Sequence, residues 1–256
     1  MRVERIPYQQ TNFFSKFILD YLSGEACLSP FYHRASKLSN FKAQIQEKQN
    51  QFVNRAVLVE ELSQQYSLID TTDSVTCNIQ SLLQENTFTV ATGHQLCLFT
   101  GPLYFIYKII STINLSEHLK SEYPEYNFVP IYWMASEDHD FDEVNHVHIF
   151  GKTLQWNQDQ KGAVGAISPE SMQSLFDQLK SILGDSLNAE YLYRLLSDSY
   201  LKNKDLASAT RHLVNSLFSK YGLVVLDADS PNFKKEAIPL IKRDVLEKSN
   251  YPLIQN

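Results

Sequence analysis

Hydrophobic positions change their spacing several times along the chain, and each change marks a different element. From Phe41 to Tyr66 the sequence is rich in Gln, Glu, Lys and Ala and lacks Gly and Pro. Phe52, Ala56, Val59 and Leu62 recur at intervals of three and four, which predicts one amphipathic helix. The period then shortens: Thr87-Phe88-Thr89-Val90-Ala91-Thr92 is β-branched and stops at Gly93, the pattern of a strand. Thr100-Gly101-Pro102 supplies a polar residue and a proline suited to a helix start, with Leu103, Ile106, Ile110 and Ile113 along one face, so a helix is expected from Pro102. Phe128 to Met134 is almost continuously apolar, as in a strand covered on both faces. Together these segments form a β-α-β unit.

Beyond Phe150 the pattern predicts a short polar strand near Leu154 to Trp156, a turn over Lys161 to Gly165 and a helix opened by Ser168-Pro169-Glu170. A later helix, about Asp205 to Tyr221, leads through Gly222 into the apolar run Leu223 to Asp227. The alternation of strands and helices predicts an α/β fold with a doubly wound parallel sheet. Residues 1–86 are expected to form a helical region packing on a core of residues 87–256. Ligands of such sheets bind beyond the carboxyl ends of the strands, which directs attention to the loops after Thr92, Ala135 and Leu226.

Composition removes several function classes. Lys and Arg number 23 against 29 Asp and Glu, a net charge of -6, so no cationic excess is available for a phosphate backbone and nucleic acid is not an expected partner. Cys27, Cys77 and Cys97 show no CxxC spacing, which argues against a disulfide framework or structural zinc and fits a reducing compartment. Met1 to Gln10 lacks the apolar core of a secretory signal, and no later run approaches the roughly 20 apolar residues of a membrane span. A soluble, cytoplasmic protein with no membrane partner is the expectation.

Two segments carry chemistry. Gly93-His94-Gln95 after a strand and Thr100-Gly101-Pro102 at a helix start place free N–H groups and a positive helix end together, a setting for phosphate or carboxylate, with Lys108 further along the helix. The structural alternative is a tight turn at Gly93, a cap at Thr100 and a satisfied buried His94; neither GxGxxG nor GxxxxGK[ST] is present. The second segment, Glu137-Asp138-His139-Asp140-Phe141-Asp142-Glu143 with His146 and His148, is the densest set of titratable groups. Crowded carboxylates raise one another's pKa and an imidazolium lowers it, so the cluster can supply a general base for an amine nucleophile. A metal site using Asp138, His139 and His146 competes with that reading, as does a plain helix start at Asp140, Asp142 and Glu143 with surface histidines. Asp227, Asp229 and Ser230 follow the last strand, where they suit either a ligand or a turn; Tyr132 and Trp133 are expected in the core, and Cys97 as a partly buried thiol.

Taken in order, Thr92-Gly93-His94-Gln95, Leu98 to Tyr104, Lys108-Ile109-Ile110 and the Glu137 to Glu143 block resemble the bacillithiol-biosynthesis cysteine-adding family, BshC. Weaker similarity runs through Gly222 to Asp227 and Phe233-Lys234-Lys235. The resemblance implies a Rossmann-like core with inserted segments, related to nucleotidyltransferases and class I aminoacyl-tRNA synthetases. It implies amide formation between the carboxylate of cysteine and the amine of glucosaminyl-malate. ATP or another nucleotide is the candidate activating co-substrate, and a homodimer the candidate assembly of the full-length protein. Catalytic roles would fall to Asp138, His139 and Asp140. Substrate or nucleotide would be bound by Gly93, His94, Gln95, Thr100, Gly101, Lys108, Glu137, Glu143 and Asp227, with no metal. Family members continue past the position of Asn256 into a second half, so the core is expected to be incomplete relative to the family and to leave apolar surface exposed. A metal-dependent hydrolase and a non-catalytic ligand-binding fragment stay open as alternatives.

Overall fold

A computed structural model describes residues 4–159, 161–248 and 251. The chain divides into two compact units, Met1–Phe52 and Val53–Asn256. Among the described residues no helix is long and apolar enough to cross a membrane.

In the first unit, helix α1 (Lys16–Ser23) is opened by the Ser15 side chain, which accepts from Ile18 N–H, and closed by Gly24 at φ 79°. Helix α2 (Phe41–Gln49) buries only Ile45. Glu47 receives Arg34 at 2.6 Å and His33 at 2.9 Å. The single helix expected over Phe41 to Tyr66 is in fact two: α2 stops at Gln49, and α3 (Arg55–Tyr66) starts afresh. The physical reason is Asn54, whose side chain accepts from Val57 N–H and so competes for the backbone that a continuous helix would use. Phe52, counted in the apolar stripe, is 93% exposed.

The second unit is built on three parallel strands, β1 (Thr87–His94), β2 (Asn127–Met134) and β5 (Val224–Asp227), with β2 in the middle. Strand β1 leads through helix α5 (Tyr104–Glu122) into β2, and β5 pairs on the other side of β2. Four successive residues of β2, 129–132, are buried, so both faces are covered, as its continuous apolar run requires. Pro130 is tolerated in this middle strand because β5 pairing begins only at Ile131, leaving the missing N–H outside that ladder. Helices α3 and α4 (Asp73–Ser81) lie against β5. Helices α6 (Gln173–Leu183), α7 (Leu187–Tyr200) and α8 (Leu206–Phe218) pack in succession, with α8 also touching β5. Gly222 at φ 72° ends the turn after α8 and releases the chain into β5.

Three local expectations need correction. Strand β1 runs past Thr92 to His94, with Gly93 paired to Trp133 instead of forming a turn. Helix α5 starts at Tyr104, two residues after Pro102, and its buried face is Phe105, Ile109, Thr112, Ile113, Ser116 and Leu119; Leu103 and Ile110 are exposed. Trp133, expected in the core, is 45% exposed, whereas Tyr132 is fully buried against Phe105, ring centroids 5.3 Å apart.

A hairpin that period reading missed follows β2. Strand β3 (His146–Ile149) pairs antiparallel with β4 (Lys152–Gln155), the expected polar strand. Its two-residue loop, Phe150 and Gly151, has φ 48° and 75°, the sign pattern of a type I′ turn.

Candidate functional site

The loop that leaves β1 is held in an uncommon backbone conformation. Phe99, Thr100 and Gly101 have φ values of 51°, 78° and 59° in succession. Such values are rare outside glycine and cluster where a structure fixes a functional loop. Thr100 is therefore not a helix cap; Leu103 occupies that position, without a side-chain cap. Gly101 has a second constraint, since a Cβ there would lie 2.4 Å from Cys97 Cβ. The loop is anchored by Phe99, whose ring packs between Tyr200 at 5.2 Å and Phe176 at 5.4 Å, and whose N–H donates to Tyr200 Oη at 3.0 Å.

The loop after β2 is brought to the first by Gln95. Its amide nitrogen donates to Asp138 Oδ2 at 2.8 Å and to Glu143 Oε2 at 2.7 Å. One neutral donor thus holds two carboxylates that would otherwise repel. The Gln95 amide, then the Asp140 N–H, hold the Asp138 carboxyl below its ordinary range, so Asp138 stays anionic and is a weak proton acceptor. Gly165 lets the next segment approach closely: its N–H donates to Ser136 O at 2.8 Å, and a Cβ there would sit 2.6 Å from Ser136 Cβ.

A cavity of about 750 Å³ opens between these loops, the start of α5 and the β3 strand, a volume suited to a small-molecule substrate. Gln95, Thr100, Gly101, Glu143, His146 and His148 are on its wall. Cys97 and Tyr104 line it as well. The Cys97 thiol is half-buried and pushed up in pKa, by burial first and by Glu143 second, which keeps it protonated.

The remaining candidates separate from this cavity. Lys108 donates to Gly93 O, at the end of β1, so its ammonium is already engaged with the backbone. Glu137, His139 and Asp140 are exposed and line neither this cavity nor the second one. Among the described residues no three His, Cys, Asp or Glu side chains converge as a metal-ligand set.

Asp227 lies at a second cavity of about 350 Å³, beside Glu61, Gln65, Asp229 and Asn232. Its carboxylate accepts from Ser136 Oγ and Asp229 N–H and faces Arg211 Nη2 at 3.7 Å. Gln65 closes the network, accepting from Arg211 at 3.1 Å and from Asp227 N–H at 3.0 Å. Ser136, Gln65 and Arg211 gave no sequence signal, because they meet only through long-range packing.

His94 is a buried histidine between Tyr104 and Phe105, 8% exposed. Its Nδ1 lies 3.1 Å from Gln95 O, which can only accept, so Nδ1 carries the hydrogen and Nε2 is a lone pair without a partner among the described residues. Burial, opposed by the Gln95 carbonyl, lowers its pKa from the ordinary 6.5. Below the unfolded-state value the unfolded chain gains a proton that the folded chain resists, so acidification costs stability. Urea unfolding at about pH 7.5 and about pH 5 should show a loss of stability on acidification that is smaller in His94→Phe; an equal loss in both proteins would remove His94 from the balance.

Comparison with known proteins agrees with the parallel core and the order of the loops. Residues 1–255 match the family model described as "Bacillithiol biosynthesis BshC, N-terminal Rossmann-like domain". Proteins named "Putative cysteine ligase BshC" are 51% identical in Flavobacterium psychrophilum and 49% in Flavobacterium johnsoniae, each over all of this chain and 49% of the relative. The protein of that name in Christiangramia forsetii is 47% identical over 96% of this chain and 47% of its own length. The chain spans about half the length of these curated relatives. With the match running through both loops, the three strands and the helices between them, the chain belongs to the BshC family of bacillithiol biosynthesis as a Rossmann-like α/β domain.

Proposed function

We propose that this domain carries the substrate site of a carbon–nitrogen ligase that joins the carboxylate of cysteine to the amine of glucosaminyl-malate. The observation that carries the reading is Gln95, which ties Asp138 and Glu143 together at the mouths of two adjacent parallel strands, with Glu143 on the cavity wall. The Glu143 carboxylate on that wall suits an ammonium or amine, and the strained Thr100-Gly101 segment lines the same space. ATP, as the co-substrate that would activate the cysteine carboxylate, is part of the proposal. The relatives' name and the family's pathway support the cysteine-ligase part of it.

The test is mass spectrometry of glucosaminyl-malate incubated with cysteine and the purified chain, with and without ATP. The expected result is the amide, formed only with ATP. Amide made by a full-length relative but not by this chain would reduce the domain to a binding role; amide from neither would overturn the ligase reading. The metal-dependent alternative has less support, because the side chains it needs do not converge.

A further inference from the structure

The ligase reading requires a group that removes a proton from the attacking amine, and the acidic loop is poorly suited to it. Asp138 is held anionic by Gln95, and His139 and Asp140 are exposed and do not line the cavity. Resting on that reading, we propose that His146 is the proton acceptor and that Asn145 is its positioning residue.

Asn145 is 4% exposed and fixed at three points. Its N–H donates to Phe141 O at 3.0 Å, its carbonyl accepts from Trp156 N–H at 2.7 Å, and its amide Nδ2 points to Asp142 Oδ1 at 3.4 Å. That last contact sets which way the amide faces, leaving Oδ1 directed at His146 Nδ1, 3.2 Å away. An amide oxygen can only accept, so His146 carries its hydrogen on Nδ1 and presents Nε2 as a lone pair. No described residue hydrogen-bonds that nitrogen, and His146 lines the large cavity together with Gln95 and Glu143.

His94 has the same tautomer, but its Nε2 is sealed from the cavity. His148 sets its ring against His146, centroids 5.4 Å apart, yet its Nδ1 meets the Thr153 hydroxyl, which can donate as well as accept. Of these three histidines, His146 alone joins a fixed tautomer, with no described partner on Nε2, to a place on the cavity wall. The arrangement is that of a base oriented by a third group.

In the step assigned to it, the amine nitrogen attacks the carboxyl carbon of a cysteinyl acyl phosphate or acyl adenylate. The C–N bond forms, the C–O bond to the phosphate breaks with its electron pair leaving on that oxygen, and the amine proton passes to His146 Nε2. Glu143 is on the same wall.

The experiment uses the whole chain labelled with 15N-histidine and titrated with glucosamine as the amine probe. The expected spectrum shows His146 as the Nδ1–H tautomer, with its Nε2 resonance moved by glucosamine. In turnover, His146→Gln should lower kcat about 100-fold or more while KM for the amine changes less than about threefold. Asn145→Ala should lose the fixed tautomer and part of kcat, and Asn145→Asp, which keeps an acceptor oxygen, should restore both. An Nε2–H tautomer, an Nε2 resonance unmoved by glucosamine, or full turnover in His146→Gln overturns the proposal. A wild-type chain that makes no amide refutes the domain's ligase activity separately, and the imidazole spectrum still decides the dyad.

Discussion

Arg211→Met should destabilise the protein by about 3–5 kcal/mol, because it strands a carboxylate that the fold has arranged around a buried cation. Arg211 is 8% exposed, and burial pulls its guanidinium below the ordinary range while Asp227 opposes the shift. The guanidinium meets Gln65 at 3.1 Å and Asp227 at 3.7 Å, and through Asp227 it also supports Ser136. Removing the charge leaves Asp227 hydrogen-bonded by two neutral donors, Ser136 Oγ and Asp229 N–H, at the junction of α8, β5 and the loop after β2. For a domain of this size that loss lowers Tm by roughly 10 °C. The double variant Arg211→Met/Asp227→Asn removes both charges and should recover much of the stability, since a buried pair replaced as a unit costs far less than one broken. Thermal and urea unfolding check both statements. A single variant within about 1 kcal/mol of wild type would mean that water, not Arg211, compensates Asp227.

The Arg211 network also shows where reading the sequence stops working. Gln65, Ser136, Arg211 and Asp227 are joined across as many as 162 positions of chain, and nothing local marks them as partners. The strands are legible for the opposite reason: β1 is a short β-branched segment, β2 and β5 are short apolar runs, and Gly222 precedes the last of them. Local polar chemistry can also override spacing. Asn54 split one expected helix in two by capping the second, a competition that the spacing of Phe52, Ala56, Val59 and Leu62 does not reveal. The β3 strand carries a local signal: His146-Val147-His148-Ile149 alternates with period two and runs into a glycine turn. From the charge-dense block Glu137 to Glu143 the structure brings Asp138 and Glu143 to Gln95, while Glu137, His139 and Asp140 do not line the cavity. Density of titratable groups locates a loop; it does not say which side chains turn inward.

Phe99→Ala should cost about 3–5 kcal/mol, and its effect should reach the cavity, because the same residue pins the strained loop that lines it. At φ 51°, ψ 39° Phe99 occupies a left-handed conformation that costs a non-glycine residue about 1–3 kcal/mol. What holds it there is the burial of its ring between Tyr200 and Phe176 and the hydrogen bond to Tyr200 Oη. Two neighbours, Thr100 and Gly101, are carried into positive φ with it and reach the cavity wall. Alanine removes the packing but keeps the strain, whereas glycine removes both. Phe99→Gly should therefore be less destabilising than Phe99→Ala by about 1 kcal/mol, the reverse of the usual order in regular structure. Tyr200→Phe isolates the hydrogen bond and, by leaving the Phe99 N–H buried without a partner, should cost about 1–3 kcal/mol. Urea unfolding of the three variants orders them, and hydrogen exchange at Thr100 and Gly101 reports whether the loop has relaxed. If glycine proves worse than alanine, the strain is not what the aromatic cluster opposes, and Phe99 acts only as core. If the order is as expected and exchange at Thr100 and Gly101 rises with each loss of anchoring, the helical layer sets the shape of the cavity from behind, through one phenyl ring.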